Sequence, residues 1–113
     1  KIAEVMNIIG EVDNKNVLLV DDMIDTAGTL TNAASALKDR GAKTVMASGT
    51  HPLLSGPAYQ RLEDSPIDKV LVTDTIPLSK PSDKIQVLSV AGIFAEAIER
   101  IHTNDTISAL FDN

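Results

Sequence analysis

The sequence contains no cysteine and no tryptophan, and only three of its residues are aromatic. The absence of cysteine excludes disulfides, thiolate zinc sites, iron–sulfur clusters and thiol catalysis. Acidic residues outnumber basic residues by sixteen to ten, and the net charge of −6 argues against nucleic acid as a partner. No apolar run approaches the roughly 20 residues of a membrane span, and no signal peptide is recognisable. We therefore expect a cytoplasmic protein with no membrane partner.

Apolar residues are abundant and their spacing is regular. They make up 43% of the 113 residues, which is enough for the core of a single domain. Short apolar runs alternate with stretches of helical periodicity. We predict strands at 17–20, 43–48, 70–73 and 85–90, and helices at about 2–9, 28–40, 57–64 and 92–102. This alternation predicts an α/β fold with a mainly parallel sheet flanked by helices. The continuous apolar run at 17–20 predicts a strand buried on both faces.

The segment VLLVDDMIDTAGT, residues 17–29, contains the most informative polar residues. It joins a strand to a helix, and the start of a helix binds anions through its unpaired backbone N–H groups. Ala27 and Gly28 are small enough to let the backbone approach a ligand, and Thr26 and Thr29 add hydroxyl donors. We therefore expect a phosphate at residues 25–29.

Asp21 and Asp22 precede that position and would repel a phosphate. Carboxylates accept hydrogen bonds from vicinal hydroxyls or hold a divalent cation, so the ligand fits the description of a sugar phosphate. In the alternative interpretation, Asp25 or Thr26 merely caps the helix, and the acidic pair is solvated. The spacings of a P-loop and of a dinucleotide fingerprint are both absent.

The same segment resembles the phosphoribosyl-binding loop of type I phosphoribosyltransferase-like proteins. DDMIDTAGT is most similar to the version found in the ribose-phosphate pyrophosphokinases, because transferases usually carry Thr where Asp25 stands. Four flanking stretches resemble that family in the same order: EVMNIIG (4–10), THPLLSGPA (50–58), VTDTIP (72–77) and AEAIERIH (95–102). The resemblance therefore covers nearly the whole chain.

The resemblance implies a type I phosphoribosyltransferase-like fold and a place as the C-terminal domain, residues 1–113, of a larger synthetase. That enzyme transfers a diphosphoryl group from ATP to ribose 5-phosphate, giving phosphoribosyl pyrophosphate and AMP, with Mg²⁺ as cofactor. The implied ribose 5-phosphate-binding residues are Asp21, Asp22, Asp25, Thr26, Ala27, Gly28 and Thr29. Ser55 and Gly56 are the implied allosteric position, where a regulatory phosphate binds at a subunit boundary.

The family's catalytic basic loop and N-terminal half have no counterpart in these 113 residues. We therefore expect no catalytic residue in this chain, no turnover by it alone, and partnership with the N-terminal half. The family also implies a homohexamer, in which Leu110 and Phe111 either join an interface or fold back onto the core. The metal ligands stay unassigned.

Other functions are compatible with parts of the pattern. The chain could belong to a phosphoribosyltransferase, or to a non-catalytic regulatory protein that associates with the synthetase. A response-regulator receiver is disfavoured, because Lys80 follows Asp74 with no strand and helix between them. His51 lies near the expected site, but a structural role is the simpler interpretation.

Overall fold

The computed structural model describes residue 8 and residues 10–111. Its strands are β1 (Asn16–Ile24), β2 (Thr44–Pro52), β3 (Lys69–Thr73) and β4 (Ile85–Leu88). Its α-helices are α1 (Gly28–Asp39), α2 (Ala58–Asp64) and α3 (Ala91–His102), followed by a 3-10 turn at Ser108–Phe111. The helix predicted at 2–9 lies outside the described residues, apart from Ile8. None of the described helices is both long enough and apolar enough to cross a membrane.

The four strands form one parallel sheet in the order β1-β2-β3-β4. Each parallel neighbour requires a crossover, and α1 and α2 supply the first two. Val17 pairs with Val45, and Val70 pairs with Ile85. The predicted α/β fold with a parallel sheet is confirmed, because the apolar runs and the helical periodicities occur in the alternating order that crossovers demand.

The core lies between the sheet and the two crossover helices. The stripe predicted for α1 is the one that is buried: Leu30, Ala33, Ala34 and Leu37. The helix ends before Gly41, as predicted, and this glycine has a φ of +95°. A Cβ atom at Gly41 would overlap the carboxylate of Asp13, so glycine is required there for space as well as for conformation.

The prediction that residues 17–20 are buried on both faces is wrong. Leu18 is 58% exposed and Val20 is 76% exposed, and Met46 and Val87 are also exposed. Successive right-handed crossovers in one direction place α1 and α2 on the same face of the sheet. An apolar run shows that a strand needs cover on both faces, but it does not show that nearby residues supply that cover.

The C-terminal ends of three strands differ from the prediction. β4 ends at Leu88 instead of residue 90. β1 continues to Ile24, so Asp21 and Asp22 belong to a strand instead of a loop, and β2 continues to Pro52. The two strands pair on either side of Asp22, from Asn16 with Thr44 to Ile24 with Pro52. Backbone pairing with β2 therefore overrides the local preference of aspartate for turns.

Candidate functional site

A cavity of about 170 Å³ opens where β1 ends and α1 begins. It is lined by Asp21, Met23, Ile24, Asp25, Thr26, Ala27, Gly28, Thr29 and Leu30. Six of the seven residues expected to bind sugar phosphate are thus brought together. The seventh, Asp22, is not among the lining residues. We call residues 25–29 the anion loop.

The backbone carbonyls around the anion loop are occupied by donors from elsewhere in the protein. These pairs are Leu54 N to Ile24 O (3.0 Å), Ser55 N to Asp25 O (2.9 Å), Arg61 Nη1 to Thr26 O (3.1 Å) and Thr31 N to Ala27 O (3.0 Å). In a planar trans peptide the N–H points opposite to the C=O. Each of these bonds therefore fixes the direction of the N–H that follows it.

The N–H groups fixed in this way have no acceptor among the residues that the structure describes. Among residues 10–111, none accepts a hydrogen bond from the backbone N–H of Thr26, Ala27 or Gly28. Three consecutive donors at the positive end of α1 form a site for an anion such as phosphate. The hydroxyl-bearing side chains of Thr26 and Thr29 line the same cavity.

The interpretation in which Asp25 or Thr26 merely caps α1 is wrong. The N-cap residue is Ala27, and no side chain of the described residues caps the helix. Ala27 has φ 64° and ψ 12°, a left-handed conformation that is unfavourable for a residue with a Cβ atom. The first turn of α1 is therefore left without a side-chain acceptor, and its donors are available to a ligand.

Gly28, expected to leave room for a ligand, also leaves room for a side chain of the protein. Its φ is not positive, so conformational freedom is not what this position needs. A Cβ atom at Gly28 would lie 3.0 Å from Nη1 and 3.7 Å from Cζ of Arg61. The glycine thus makes room for the guanidinium group that binds the carbonyl of Thr26. Sequence reasoning missed Arg61, because no local pattern connects it to a loop so far upstream.

The acidic pair divides into one residue in the cavity and one outside it. The Oδ1 atom of Asp21 accepts a hydrogen bond of 2.8 Å from the backbone N–H of Asp22, which restrains the carboxylate beside the cavity. Both aspartates are exposed. Within the described part of the chain, no three His, Asp or Glu side chains are grouped so as to hold a metal ion. Asp21 thus presents a restrained hydrogen-bond acceptor to the cavity.

The loop after β2 directly supports the anion loop. Ser55 donates its N–H to Asp25, and its own carbonyl accepts a hydrogen bond of 3.1 Å from the N–H of Ala58. The side chain of Ser55 does not cap α2, whose N-cap is Pro57. Gly56 has a φ of +55°. The residues expected at an allosteric position are therefore joined to the anion loop through one backbone hydrogen bond.

The ends of β2 and β3 are joined through hydroxyl groups. His51 Nδ1 lies 2.8 Å from Thr75 Oγ1, and Thr73 Oγ1 donates to the carbonyl of Thr50 at 2.6 Å. The half-buried ring of His51 thus already has a partner in the neighbouring loop. This geometry agrees with a structural role for His51.

Asp74 connects the end of β3 to the start of α3. A hydrogen bond from Ser89, assisted by one of 2.8 Å from the N–H of Val90, lowers the pKa of the Asp74 carboxyl. The ionised carboxylate therefore orders the residues just before α3, and it does so at the same edge of the sheet as the cavity.

Comparison with protein families gives one match over almost the whole chain. The phosphoribosyl synthetase-associated domain matches residues 1–112. The ribose-phosphate pyrophosphokinase of Wolinella succinogenes is 56% identical over 110 residues, which is 97% of this chain and 36% of that protein. The enzyme of the same name from Caldanaerobacter subterraneus is 60% identical over 112 residues, which is 97% of this chain and 35% of that protein.

A solved structure supports the same relationship. The crystal structure of phosphoribosylpyrophosphate synthetase from Mycobacterium smegmatis superposes with a TM-score of 0.83 and 40% identity, over 85% of this chain and 33% of that one. The chain therefore spans about a third of the length of its curated relatives. Both its sequence and its fold place this chain in the phosphoribosyl synthetase-associated domain family.

Proposed function

We propose that this chain is the C-terminal, ribose 5-phosphate-binding domain of a longer ribose-phosphate pyrophosphokinase. The observation that carries the proposal is the cavity in which three uncapped N–H donors of the anion loop lie beside the carboxylate of Asp21. The relatives' name, ribose-phosphate pyrophosphokinase, supplies the class of reaction, and the family resemblance implies transfer of a diphosphoryl group from ATP to ribose 5-phosphate. This chain supplies the binding of the acceptor sugar.

The charges of the site allow only one orientation of the ligand. The 5-phosphate binds the N–H groups and hydroxyls of residues 25–29, because the start of α1 favours an anion. The ribose hydroxyls donate to Asp21, since a carboxylate accepts hydrogen bonds and repels phosphate. Asp22, which does not line the cavity, contacts the part of the ligand or its cation that extends beyond the rim.

Mg²⁺ and ATP complete the proposed reaction. Mg²⁺ in phosphoryl-transfer sites is held by one or two carboxylates together with phosphate oxygens and water, and it neutralises charge on the transferring group. Asp21 and Asp22 would offer those carboxylates. The described residues fit a shared site of this kind, although they do not form a metal cage by themselves.

Exposed apolar side chains on the sheet, on α3 and near the end of the chain support the proposed partners. Leu18 and Val20 of β1 and three isoleucines of α3 (Ile93, Ile98 and Ile101) are exposed. We propose that the N-terminal half of the same protein covers these apolar side chains. That half also contributes the basic catalytic loop, so the isolated domain is inactive. Leu110 and Phe111, of which Phe111 is 75% exposed, fit a subunit contact in a homohexamer.

The orientation is tested by titrating the complete protein with ribose 5-phosphate and, separately, with inorganic phosphate. Asp21→Asn should weaken ribose 5-phosphate binding by about 1–3 kcal/mol, the value of a charge-assisted hydrogen bond, and leave phosphate binding intact. Asp22→Asn is the matched control, and its effect should be smaller. Equal affinities for ribose 5-phosphate in the parent protein and Asp21→Asn would disprove the orientation.

The enzyme assignment needs a separate assay. Incubating the complete protein with ATP, Mg²⁺ and ribose 5-phosphate should yield AMP. Absence of AMP, with ribose 5-phosphate binding retained, would identify the protein as a regulatory relative. Pyrophosphate-dependent release of a nucleobase from a nucleotide would instead identify a phosphoribosyltransferase.

A further inference from the structure

The residue with the least favourable backbone conformation in the anion loop is Ala27. Its φ of 64° lies in the left-handed region, and its side chain is only 5% exposed. Glycine would adopt this conformation without cost, whereas alanine does not. Some contact must therefore hold the backbone of Ala27 in place.

A simple rotation would relieve Ala27. Turning the peptide between Thr26 and Ala27 by half a revolution changes ψ of Thr26 and φ of Ala27 together, and it returns Ala27 to negative φ. The same rotation turns the N–H of Ala27 away from the cavity. The relaxed form of the loop would thus lose one of its three anion donors.

The carbonyl of this same peptide is the one that Arg61 binds. Nη1 of Arg61 donates to the oxygen of Thr26 at 3.1 Å, and a donor that carries charge makes a stronger hydrogen bond than a neutral one. The guanidinium also lies against Gly28, where no Cβ atom intrudes. Arg61 is half-buried and does not line the cavity, so it acts on the ligand through the loop.

We propose that Arg61 is a positioning residue, which holds the peptide between Thr26 and Ala27 in its strained orientation and so directs the N–H of Ala27 toward a bound phosphate. This role rests on the proposed function, because it presumes that the anion loop binds the phosphate of a sugar. It also explains why α2 carries a cation at this position and why residue 28 is glycine.

The test combines Arg61→Met with the compensating change Ala27→Gly. Arg61→Met should weaken binding of inorganic phosphate to the complete protein about tenfold, the value of one such hydrogen bond, and its crystal structure should show Ala27 at negative φ. Ala27→Gly in the Arg61→Met background should restore most of the affinity, since glycine accepts positive φ without the arginine. Arg61→Lys, which retains a charged donor, should bind better than Arg61→Met.

Matched controls separate positioning from simple loss of charge. Lys80→Met removes a cation that lies over the ring of Tyr59, 4.9 Å from its centre, and should leave phosphate affinity unchanged. In kinetic assays Arg61→Met should raise KM for ribose 5-phosphate more than it lowers kcat, because the phosphate is remote from the reacting hydroxyl.

Three results would overturn the proposal: an unchanged phosphate affinity in Arg61→Met, a left-handed Ala27 retained in its crystal structure, or no recovery on adding Ala27→Gly. If the parent protein itself binds neither phosphate nor ribose 5-phosphate, the proposed function fails. The crystal structure of Arg61→Met would still decide whether Arg61 sets the orientation of the peptide.

Discussion

Gly49 offers a sharp test of how the core supports the site. It is buried in β2, opposite Asp21 in the sheet. A Cβ atom at Gly49 would lie 2.5 Å from both Cγ1 and Cδ1 of Ile24. Carbon atoms in good contact are about 3.5–4.0 Å apart, so roughly 1 Å of space is missing. Ile24 is only 2% exposed and cannot swing into solvent.

Gly49→Ala should therefore destabilise the protein. Overpacking of a tight core costs about 1–3 kcal/mol, and two overlapping atoms in a fixed side chain place this case in the upper part of that range. Replacing glycine by alanine within a strand returns about 0.5–1 kcal/mol. We expect a net loss of about 1–2 kcal/mol in the free energy of unfolding. Affinity for ribose 5-phosphate should fall as well, because Ile24 lines the cavity.

A double-mutant cycle measured by urea denaturation tests this reasoning. Ile24→Ala alone should cost about 2–5 kcal/mol, but Gly49→Ala should cost little in that background, because the overlapping atoms have gone. Gly92→Ala is the control, since a Cβ atom there meets nothing within 4 Å. Additive effects of Gly49→Ala and Ile24→Ala would refute the steric explanation.

Three other outcomes follow from contacts outside the cavity. Lys84 Nζ donates to three carbonyls at the end of α2 at 2.9–3.1 Å. Lys84→Met should therefore lower the free energy of unfolding by about 1–3 kcal/mol. An unchanged urea midpoint would contradict this prediction. Gly41→Ala should cost about 1–2 kcal/mol from positive φ alone, and a thermal midpoint equal to that of the parent would count against it. The pKa of Asp74 is lower in the folded protein than its ordinary value of 3.8. The stability that its carboxylate contributes is therefore present above pH 3.8 and is lost as the pH falls through the pKa of the folded state. In the parent protein the backbone N–H of Val90 should therefore be protected from hydrogen exchange at neutral pH and lose that protection at acid pH, after correction for intrinsic exchange rates. In Asp74→Ala the same N–H should be unprotected at both neutral and acid pH.

The class of fold was predictable because it depends on periodicity. Alternating apolar runs and helical stripes leave few arrangements other than a parallel sheet with crossover helices, and the buried stripe of α1 was identified residue by residue. The length of β1 was not predictable. Asp21 and Asp22 favour turns locally, and only the neighbouring strand β2 extends the pairing to Ile24.

The sequence predicted which residues form the candidate site, but not which contacts hold them in place. Sequence reasoning brought residues 25–29 together, because a strand followed by small and hydroxyl residues at a helix start has a recognisable local pattern. It predicted that Gly28 leaves room for a ligand, but it predicted neither the left-handed conformation of Ala27 nor the contact of Gly28 with Arg61. Arg61 could not be found, since its contact with Thr26 depends on how α2 packs.

The supports of the anion loop also determine when it can form during synthesis. A chain leaves the ribosome from its N-terminus, so β1 and the anion loop emerge before β2 and α2. The donors that fix the carbonyls in and beside this loop are translated later: Leu54 and Ser55 lie in the loop after β2, and Arg61 lies in α2. A nascent chain that stops before Leu54 would therefore expose the complete binding motif without these three bonds. The anion loop is thus synthesised well before the residues that give it its binding geometry.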